Sequence, residues 1–233
     1  MALPLIVLLC VGAVFCLTPL TIYFLWVASV NRRPQPTALS AGSDFVALLG
    51  GLSGLLFLVG ILVLVTVQSN SRLLVRGNWE QLQDAWGQER LVWGCVVFGY
   101  VLALGGLIVF TLSARAKSLS VYNITRNPIE TIISDVLVSI GLQPTRFGNV
   151  WSDGRELVSI QNFNGFHHVT VQYLTHDPRL VEELDRGIRL RLLTAPGADS
   201  PASGWFMSLA ISSFGAIVAC MALMVYFLYL TRG

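Results

Sequence analysis

Charge is the property that this sequence most clearly lacks. Only 12% of its 233 residues are Asp, Glu, Lys or Arg, against about 25% in an average soluble domain. A water-compatible surface is difficult to build from so few ionisable side chains, and 54% of the residues are hydrophobic. The composition therefore argues against an ordinary soluble protein and favours burial in a lipid bilayer.

The missing charges define four long apolar runs. Asp, Glu, Lys, Arg and His are absent from each run, and each reaches the ~20 residues that a helix needs to cross a hydrocarbon core. The first run is longer than the apolar part of a secretory signal and has no basic residues before it, which favours a membrane helix over a signal. The sequence predicts transmembrane helices over residues 2–30, 45–68, 91–113 and 202–231.

Sequence signals for catalysis or cofactor binding are also lacking. No glycine-rich loop follows a strand and opens a helix, and no serine lies in a G-x-S-x-G elbow. The basic residues include a single lysine, and no basic cluster suits a nucleic-acid backbone. We therefore expect no enzyme, no metal or cofactor, and no nucleic-acid partner. The cysteines all lie in apolar runs without metal-site or disulfide spacing: Cys10, Cys16, Cys95 and Cys220.

Arginine and lysine near the apolar runs predict the orientation, because cytoplasmic loops carry an excess of both. The first loop and the segment between the third and fourth runs hold more of them than the second loop and the chain end. We therefore expect both termini outside the cytoplasm and residues 118–195 in the cytosol. The residues on the cytosolic side are Arg32, Arg33, Arg115, Lys117, Arg126, Arg186, Arg189 and Arg191, and those on the other side are Arg72, Arg76, Arg90 and Arg232.

The first two loops differ in character. The first, "NRRPQPTALSAGS", is polar and contains proline, which is typical of a simple connector. In the second, Trp79, Leu82 and Trp86 recur at helical spacing and predict an interfacial helix over residues 78–90. The alternative is a third membrane helix that begins early, with its tryptophans as anchors at the membrane surface.

Residues 118–195 have the pattern of a small soluble α+β domain. "SLSVYNIT" is typical of a strand, and the next stretch has helix signals: Asn127 as N-cap, Glu130 bonding back to it, and Gly141 as terminator. Three strands follow, separated by "SDG" and "NG" turns, and Asp177 caps a second helix. The predicted order is β-α-β-β-β-α, with two helices on one antiparallel sheet, inserted between membrane helices three and four.

The three histidines all lie within residues 167–176. Strand periodicity puts His167, at the edge of the core, and His168 on opposite faces, so they cannot ligate one ion together. His176 follows the strand, and a zinc site needs three or four converging ligands. We interpret the stretch as a strand whose polar face either contacts a partner or is merely solvated. That face comprises Ser159, Gln161, His168, Thr170 and Gln172.

Small residues recur at spacings of three or four residues in the second and fourth apolar runs, a pattern that lets helices approach closely. It serves packing within a four-helix bundle as well as contact with another subunit, and both interpretations stay open. The predicted helix-packing face comprises Gly50, Gly54, Ser208, Ser212 and Gly215.

Together these features predict a non-enzymatic, multi-pass membrane protein. The function we expect is that of an accessory or assembly subunit, which anchors a small cytosolic binding domain beside a larger membrane complex. A membrane-bound sensor or regulator that binds a small ligand or peptide is the first alternative, and a permease for an uncharged solute is the second. The absence of ionisable residues from the apolar runs argues against charge-coupled transport. The expected partners are the lipid bilayer and other membrane subunits or a second copy.

Overall fold

The computed structural model of the protein describes residues 2–67, 90–163, 167–198 and 200–232. Within these ranges the helices are α1 (Ala2–Val30), α2 (Ala41–Val67), α3 (Arg90–Arg115), α4 (Arg126–Ser139), α5 (Pro178–Leu192) and α6 (Ala202–Arg232). The strands are β1 (Thr37–Ser40), β2 (Ser118–Tyr122), β3 (Thr145–Phe147), β4 (Val150–Ser152), β5 (Glu156–Phe163) and β6 (His168–Tyr173).

The chain divides into two compact units, each formed from separated segments. The helical unit comprises the described parts of Met1–Tyr23, Leu49–Thr111 and Leu209–Gly233. The sheet unit comprises the described parts of Phe24–Leu48 and Leu112–Ser208. The sheet unit is therefore assembled from two stretches of chain, with most of α2 and α3 between them.

Four of the helices, α1, α2, α3 and α6, are long and apolar enough to cross a membrane, which confirms the prediction of four long apolar helices. Helix α2 begins four residues earlier than the apolar run because Ser40 caps it: the Ser43 amide donates to Ser40 Oγ at 3.2 Å. Asp44 lies in that first turn, where the helix dipole favours a negative charge. Most of the interfacial helix predicted over residues 78–90 lies outside the described residues.

Inside the helical unit, small residues permit close helix contacts. A Cβ added to Gly54 would lie 2.6 Å from the Phe15 carbonyl oxygen, and the Cys16 thiol donates to the Gly54 carbonyl at 3.3 Å. The Thr21 hydroxyl donates to Ser213 Oγ at 2.9 Å. These contacts join α1 to α2 and to α6, as expected where small and hydroxyl side chains bring apolar helices together.

In the sheet unit, the strands form one antiparallel sheet in the order β1-β2-β6-β5-β4-β3. One face packs against α4 and α5, and its core is fully enclosed: Val121, Val169, Ile133 and Ile188 are each 0% exposed. This is the predicted arrangement of two helices on one antiparallel sheet.

Two strands of this sheet were not predicted. Strand β1 comes from the first loop, which was interpreted as a simple connector, and pairs with β2 from Thr37↔Tyr122 to Ser40↔Leu119. The first strand after α4 is instead a β3–β4 hairpin, in which Gly148 turns the chain with φ 62°. Glycine adopts that left-handed conformation without steric cost. The order β-α-β-β-β-α was therefore incomplete at both edges of the sheet.

The two helices of the sheet unit bear out most of their sequence signals. Gly141 ends α4 with φ 87°, and Asp177 caps α5 by accepting from the Arg179 amide at 3.0 Å. The predicted cap of α4 was wrong, since the helix begins at Arg126 and Asn127 lies inside it. Glu130, expected to bond back to the cap, instead pairs with Arg126 and Arg146, both on one carboxylate.

Asn123 fastens three segments of the sheet unit together. It is 0% exposed and adopts a left-handed φ of 61°, which Asn tolerates better than most residues. Its Nδ2 donates to the carbonyls of Val30 at 2.9 Å and Arg33 at 3.1 Å, and its own carbonyl accepts from the Ala198 amide at 2.8 Å. The end of β2 is thereby bonded to the chain that leaves α1 and to the chain that approaches α6.

Candidate functional site

The sheet has a polar face opposite its helices, because side chains alternate between faces along each strand. On β2 and β6 the register opposes polar residues in every second pair. These are Ser118↔Gln172, Ser120↔Thr170 and Tyr122↔His168. Gln161 of β5 lies opposite Thr170 and extends the polar face by one strand.

Two charged residues from α2 and α3 border this face. Asp44 lies in the first turn of α2 and Arg115 in the last turn of α3, positions at which the helix dipoles favour a negative and a positive charge respectively. Together with the sheet they border a partly open cavity of about 200 Å³. Its lining comprises Ala41, Asp44, Ala114, Arg115, Ser118, Ser120, Gln161, His168, Thr170 and Gln172.

The Asp44 carboxylate is held by two hydroxyl groups of β2. Tyr122 donates to Oδ1 at 2.6 Å, and Ser120 donates to Oδ2 at 3.4 Å. An ionised carboxylate offers about four lone-pair sites, so two protein donors leave capacity for a ligand. The carboxylate is thus fixed in position and can still accept further hydrogen bonds.

His168 lines the same cavity as the two charges. Its ring stacks on that of Tyr122, with centroids 4.6 Å apart and 31° between the planes. Burial lowers the pKa of His168 from the ordinary 6.5; the nearby Asp44 charge opposes this shift and Arg115 adds to it. The imidazole is therefore neutral at pH 7, with one nitrogen as a donor and the other as an acceptor.

Arg115 is exposed, and its guanidinium lies 5.1 Å from the centre of the Phe45 ring. That contact orients the group by cation–π attraction. Among the described residues, no protein acceptor binds the guanidinium N–H groups. Arg115 consequently presents an oriented positive charge with donors available at the cavity.

The structure brings most of the predicted polar face together. Gln161, His168, Thr170 and Gln172 all line the cavity. Ser159 shares their face and lies opposite Gln172, but it is not part of the lining. Much of the face therefore lies in a partly open cavity bordered by the ends of α2 and α3.

The predicted helix-packing residues divide into two groups. Gly54 is buried against α1, whereas Gly50 is exposed, with nothing within 4 Å of an added Cβ. Ser208, Ser212 and Gly215 on α6 are exposed in the single chain. Of the predicted face, Gly54 therefore packs within the chain, whereas Gly50 and the three α6 residues do not.

The three histidines occupy separate environments. His168 begins β6, whereas His167 precedes the strand with a left-handed φ of 45°, and its carbonyl accepts from the Ile124 amide at 3.2 Å. His167 is thus a turn residue and not a strand residue, contrary to prediction. His176 is exposed beyond the strand. Within the described ranges, no three His, Cys, Asp or Glu side chains come together as a metal site would require.

A second, larger cavity of about 370 Å³ lies where α3 meets β2 and α5 begins. Its acidic groups are already paired. Asp185 accepts from Tyr173 at 3.0 Å and from Arg189 at 2.7 Å, and Glu182 pairs with Arg186 at 2.8 Å. Burial and the Asp185 charge raise the pKa of Tyr173, which keeps its hydroxyl a donor. This arrangement joins β6 to α5 and leaves less unused polar capacity than the first cavity.

Sequence reasoning missed Asp44, Arg115, Ser120 and Tyr122 as site residues. A signal existed for the two on β2, since polar side chains alternate through "SLSVY" and mark one face. Asp44 and Arg115 stand beside the ends of apolar runs, where the sequence pattern gives Asp44 no role and Arg115 only a role in orientation. Their meeting at one cavity depends on the long-range pairing of β1 with β2.

The cavity combines an oriented carboxylate, an oriented guanidinium, a neutral imidazole, hydroxyls and side-chain amides. Donors and acceptors therefore converge around one small cavity of the sheet unit. Compared with known protein families, with curated proteins and with solved structures, the chain has no match.

Proposed function

We propose that this chain is a non-enzymatic, multi-pass membrane protein that binds a small polar ligand in the cavity of its sheet unit and acts as a sensor or regulator. The observation that supports this most is the cavity that Asp44 and Arg115 form with the polar sheet face. A concave polar surface suits a small ligand, whereas a flat one suits a protein partner.

The origin of the two charges is the reason for preferring a sensor to a passive binder. Asp44 begins α2 and Arg115 ends α3, and both helices are long enough to cross a bilayer. A ligand that contacts both residues favours whichever arrangement of these helix ends fits it best. Such differential contact is what a population shift requires.

A screen of small polar metabolites against the full chain in detergent tests this function. The readout is the shift in melting temperature, since a ligand that binds only the folded state stabilises it. Thr170→Val, which replaces a lining hydroxyl with a methyl group, should weaken the response to any compound that binds here. Ser159→Ala, on the same face outside the lining, should leave it unchanged. The proposal is contradicted if Thr170→Val reduces the shift in melting temperature for none of the compounds.

For the orientation, we propose both termini outside the cytoplasm and the sheet unit in the cytosol, on the basis of the arginine distribution. The pairing of β1 with β2 supports a topology in which the first loop and residues 118–195 share one side. Cysteines introduced at Ser40 and Ser152, in a background without native cysteines, should be protected from an impermeant thiol reagent in intact cells. A cysteine at Asn70, outside the described residues, should react. Labelling of Ser152→Cys in intact cells would show that the orientation is the opposite of the one proposed.

A second candidate is an accessory or assembly subunit beside a larger membrane complex. The observation that favours it is the exposed stripe of Ser208, Ser212 and Gly215 on α6, because small residues let a further helix approach closely. Purification in mild detergent followed by mass spectrometry should then recover a constant partner. Ser212→Leu should release that partner, and Phe214→Leu, an exposed apolar neighbour, should not. The permease alternative stays a prediction.

A further inference from the structure

The size of the cavity limits its ligand. About 200 Å³ corresponds to roughly six or seven water molecules at about 30 Å³ each. A ligand that fills this space has a similar number of non-hydrogen atoms. The shortest amino acids, amino alcohols and hydroxy acids match that size.

The charges limit the ligand further. One carboxylate and one guanidinium border the space, and the pKa of His168 responds to both in opposite directions. A simple anion would gain from Arg115 but meet repulsion from Asp44, and a simple cation would meet the reverse. A molecule that carries both charges is attracted by both residues.

The remaining capacity of each group fits the same class of ligand. The lone pairs of Asp44 not engaged by Tyr122 and Ser120 suit an ammonium, which has three donors. The planar guanidinium of Arg115, without a protein acceptor among the described residues, matches a carboxylate through two parallel N–H donors. The hydroxyl of Thr170 and the amide of Gln161 add hydrogen bonds for a short polar substituent.

We infer that the cavity binds a small zwitterion of the α-amino-acid class, with its ammonium at Asp44 and its carboxylate at Arg115. This inference rests on the proposed function and specifies the ligand of the same site. Among the common amino acids, the volume favours glycine, alanine and serine, and the lining hydroxyls and amides favour serine.

Calorimetric titration of the purified full chain with matched probes tests the inference. The probes are glycine, L-alanine and L-serine; ethanolamine, which lacks the carboxylate; lactate, which lacks the ammonium; and glycerol, which lacks both. We expect the zwitterions to bind at least tenfold more tightly than any of the other three. Equal affinity for ethanolamine, lactate or glycerol would overturn the inference, as would the absence of zwitterion binding.

Variants assign the two charges. Arg115→Gln should lower the affinity for glycine more than tenfold and leave the affinity for ethanolamine unchanged. Arg115→Lys should lower the affinity for glycine less, because lysine keeps the charge but lacks the paired donors. Asp44→Asn should lower the affinity for glycine, and it should leave the affinity for lactate unchanged or raise it. Arg186→Gln, outside the cavity, is the matched control. If Arg115→Gln weakens ethanolamine as much as glycine, the carboxylate assignment is wrong.

The outcomes separate the inference from the function on which it rests. If the metabolite screen finds a neutral compound whose binding depends on Thr170, the binding function stands and the assignment of a zwitterion as the ligand is wrong. If neither the screen nor the zwitterion titration gives a response that depends on Thr170, both are overturned. Unchanged far-ultraviolet circular dichroism of each variant shows that lost binding is not lost folding.

Discussion

The hydroxyl of Tyr122 donates to Asp44 Oδ1 at 2.6 Å and so joins the last residue of β2 to the first turn of α2. Tyr122 is buried, with 9% of its surface exposed, and Asp44 is partly buried. Hydrogen bonds to charged groups contribute more than neutral ones because the acceptor is ionised. This bond is therefore a main attachment between the sheet and α2.

Removing that hydroxyl should destabilise the sheet unit measurably. Tyr122→Phe should cost about 1.5–3 kcal/mol, the usual contribution of a hydrogen bond to a charged group. Ser120→Ala, whose oxygen lies 3.4 Å from Asp44, should cost less than about 1 kcal/mol because the bond is long. Denaturant unfolding of the full chain in detergent, followed by near-ultraviolet circular dichroism, measures both. Equal costs would show that the Tyr122 bond has no special weight.

The imidazole of His168 should titrate below its ordinary pKa of 6.5, first because of burial. Asp44→Asn should lower the pKa of His168 further, since it removes the attraction for the proton, and Arg115→Gln should raise it. Nuclear magnetic resonance of labelled histidine in the full chain reports each value. His176, which is exposed, provides the internal comparison. A rise in the His168 pKa on Asp44→Asn would contradict the arrangement of charges.

The lowered pKa of His168 predicts a sign for the pH dependence of stability. Because the unfolded chain binds the proton more readily, the contribution of His168 is fully present above an unfolded pKa of about 6.5. It is lost as the pH falls below that value towards the folded pKa. Replacing His168 with Gln should flatten this part of the profile. Melting temperatures of the full chain from pH 7.5 to 5 test it, and an unchanged slope in the variant would exclude His168 as the source.

Asn123 should tolerate few replacements. Asn123→Ala loses two side-chain hydrogen bonds and places an alanine in a left-handed backbone conformation, at a cost of about 2–4 kcal/mol. Asn123→Gly avoids the backbone strain and should cost about 1 kcal/mol less. Asn127→Ala is the matched control and should stay within about 0.5 kcal/mol, because Asn127 is exposed and does not cap α4. Denaturant midpoints of the full chain measure these costs. A loss of stability above that range for Asn127→Ala would indicate that Asn127 caps α4 after all.

The apolar stripe of α4 allows a paired test of core and surface. Ile133 is 0% and Val138 61% exposed on the same helix. Ile133→Asp should cost more than about 4 kcal/mol, since it buries an unpaired charge, and Val138→Asp should be close to neutral. Limited proteolysis of the sheet unit within the full chain distinguishes them. Equal resistance of the two variants to protease would argue against the core as described.

The regular parts of the fold were predictable because their signals are local. Alternation along β6 is sufficient to place His168 and Thr170 on one face, and Gly141 and Asp177 mark helix ends that the protein retains. The four apolar helices follow from length and composition alone. Each of these features depends on residues only a few positions apart.

What the sequence did not reveal depends on distant contacts. Strand β1 is four residues long and lies in a proline-containing loop, so neither its length nor its composition distinguishes it from a connector. Its pairing with β2 brings Asp44 to Tyr122 across both α2 and α3. The predicted cap at Asn127 failed for a related reason: Glu130 finds Arg146, 16 residues away, in place of the local backbone.

The two-segment origin of the sheet has a consequence for synthesis on the ribosome. Strand β1 emerges about 80 residues before β2, an interval on the order of 4–16 s at ordinary rates of translation. During that time its unpaired backbone groups are a template for other chains, a hazard that its shortness and the prolines before it reduce. The sheet cannot be completed until both intervening helices have been made. A pause in translation within α2 or α3 therefore extends the interval during which the nascent chain is most prone to aggregate.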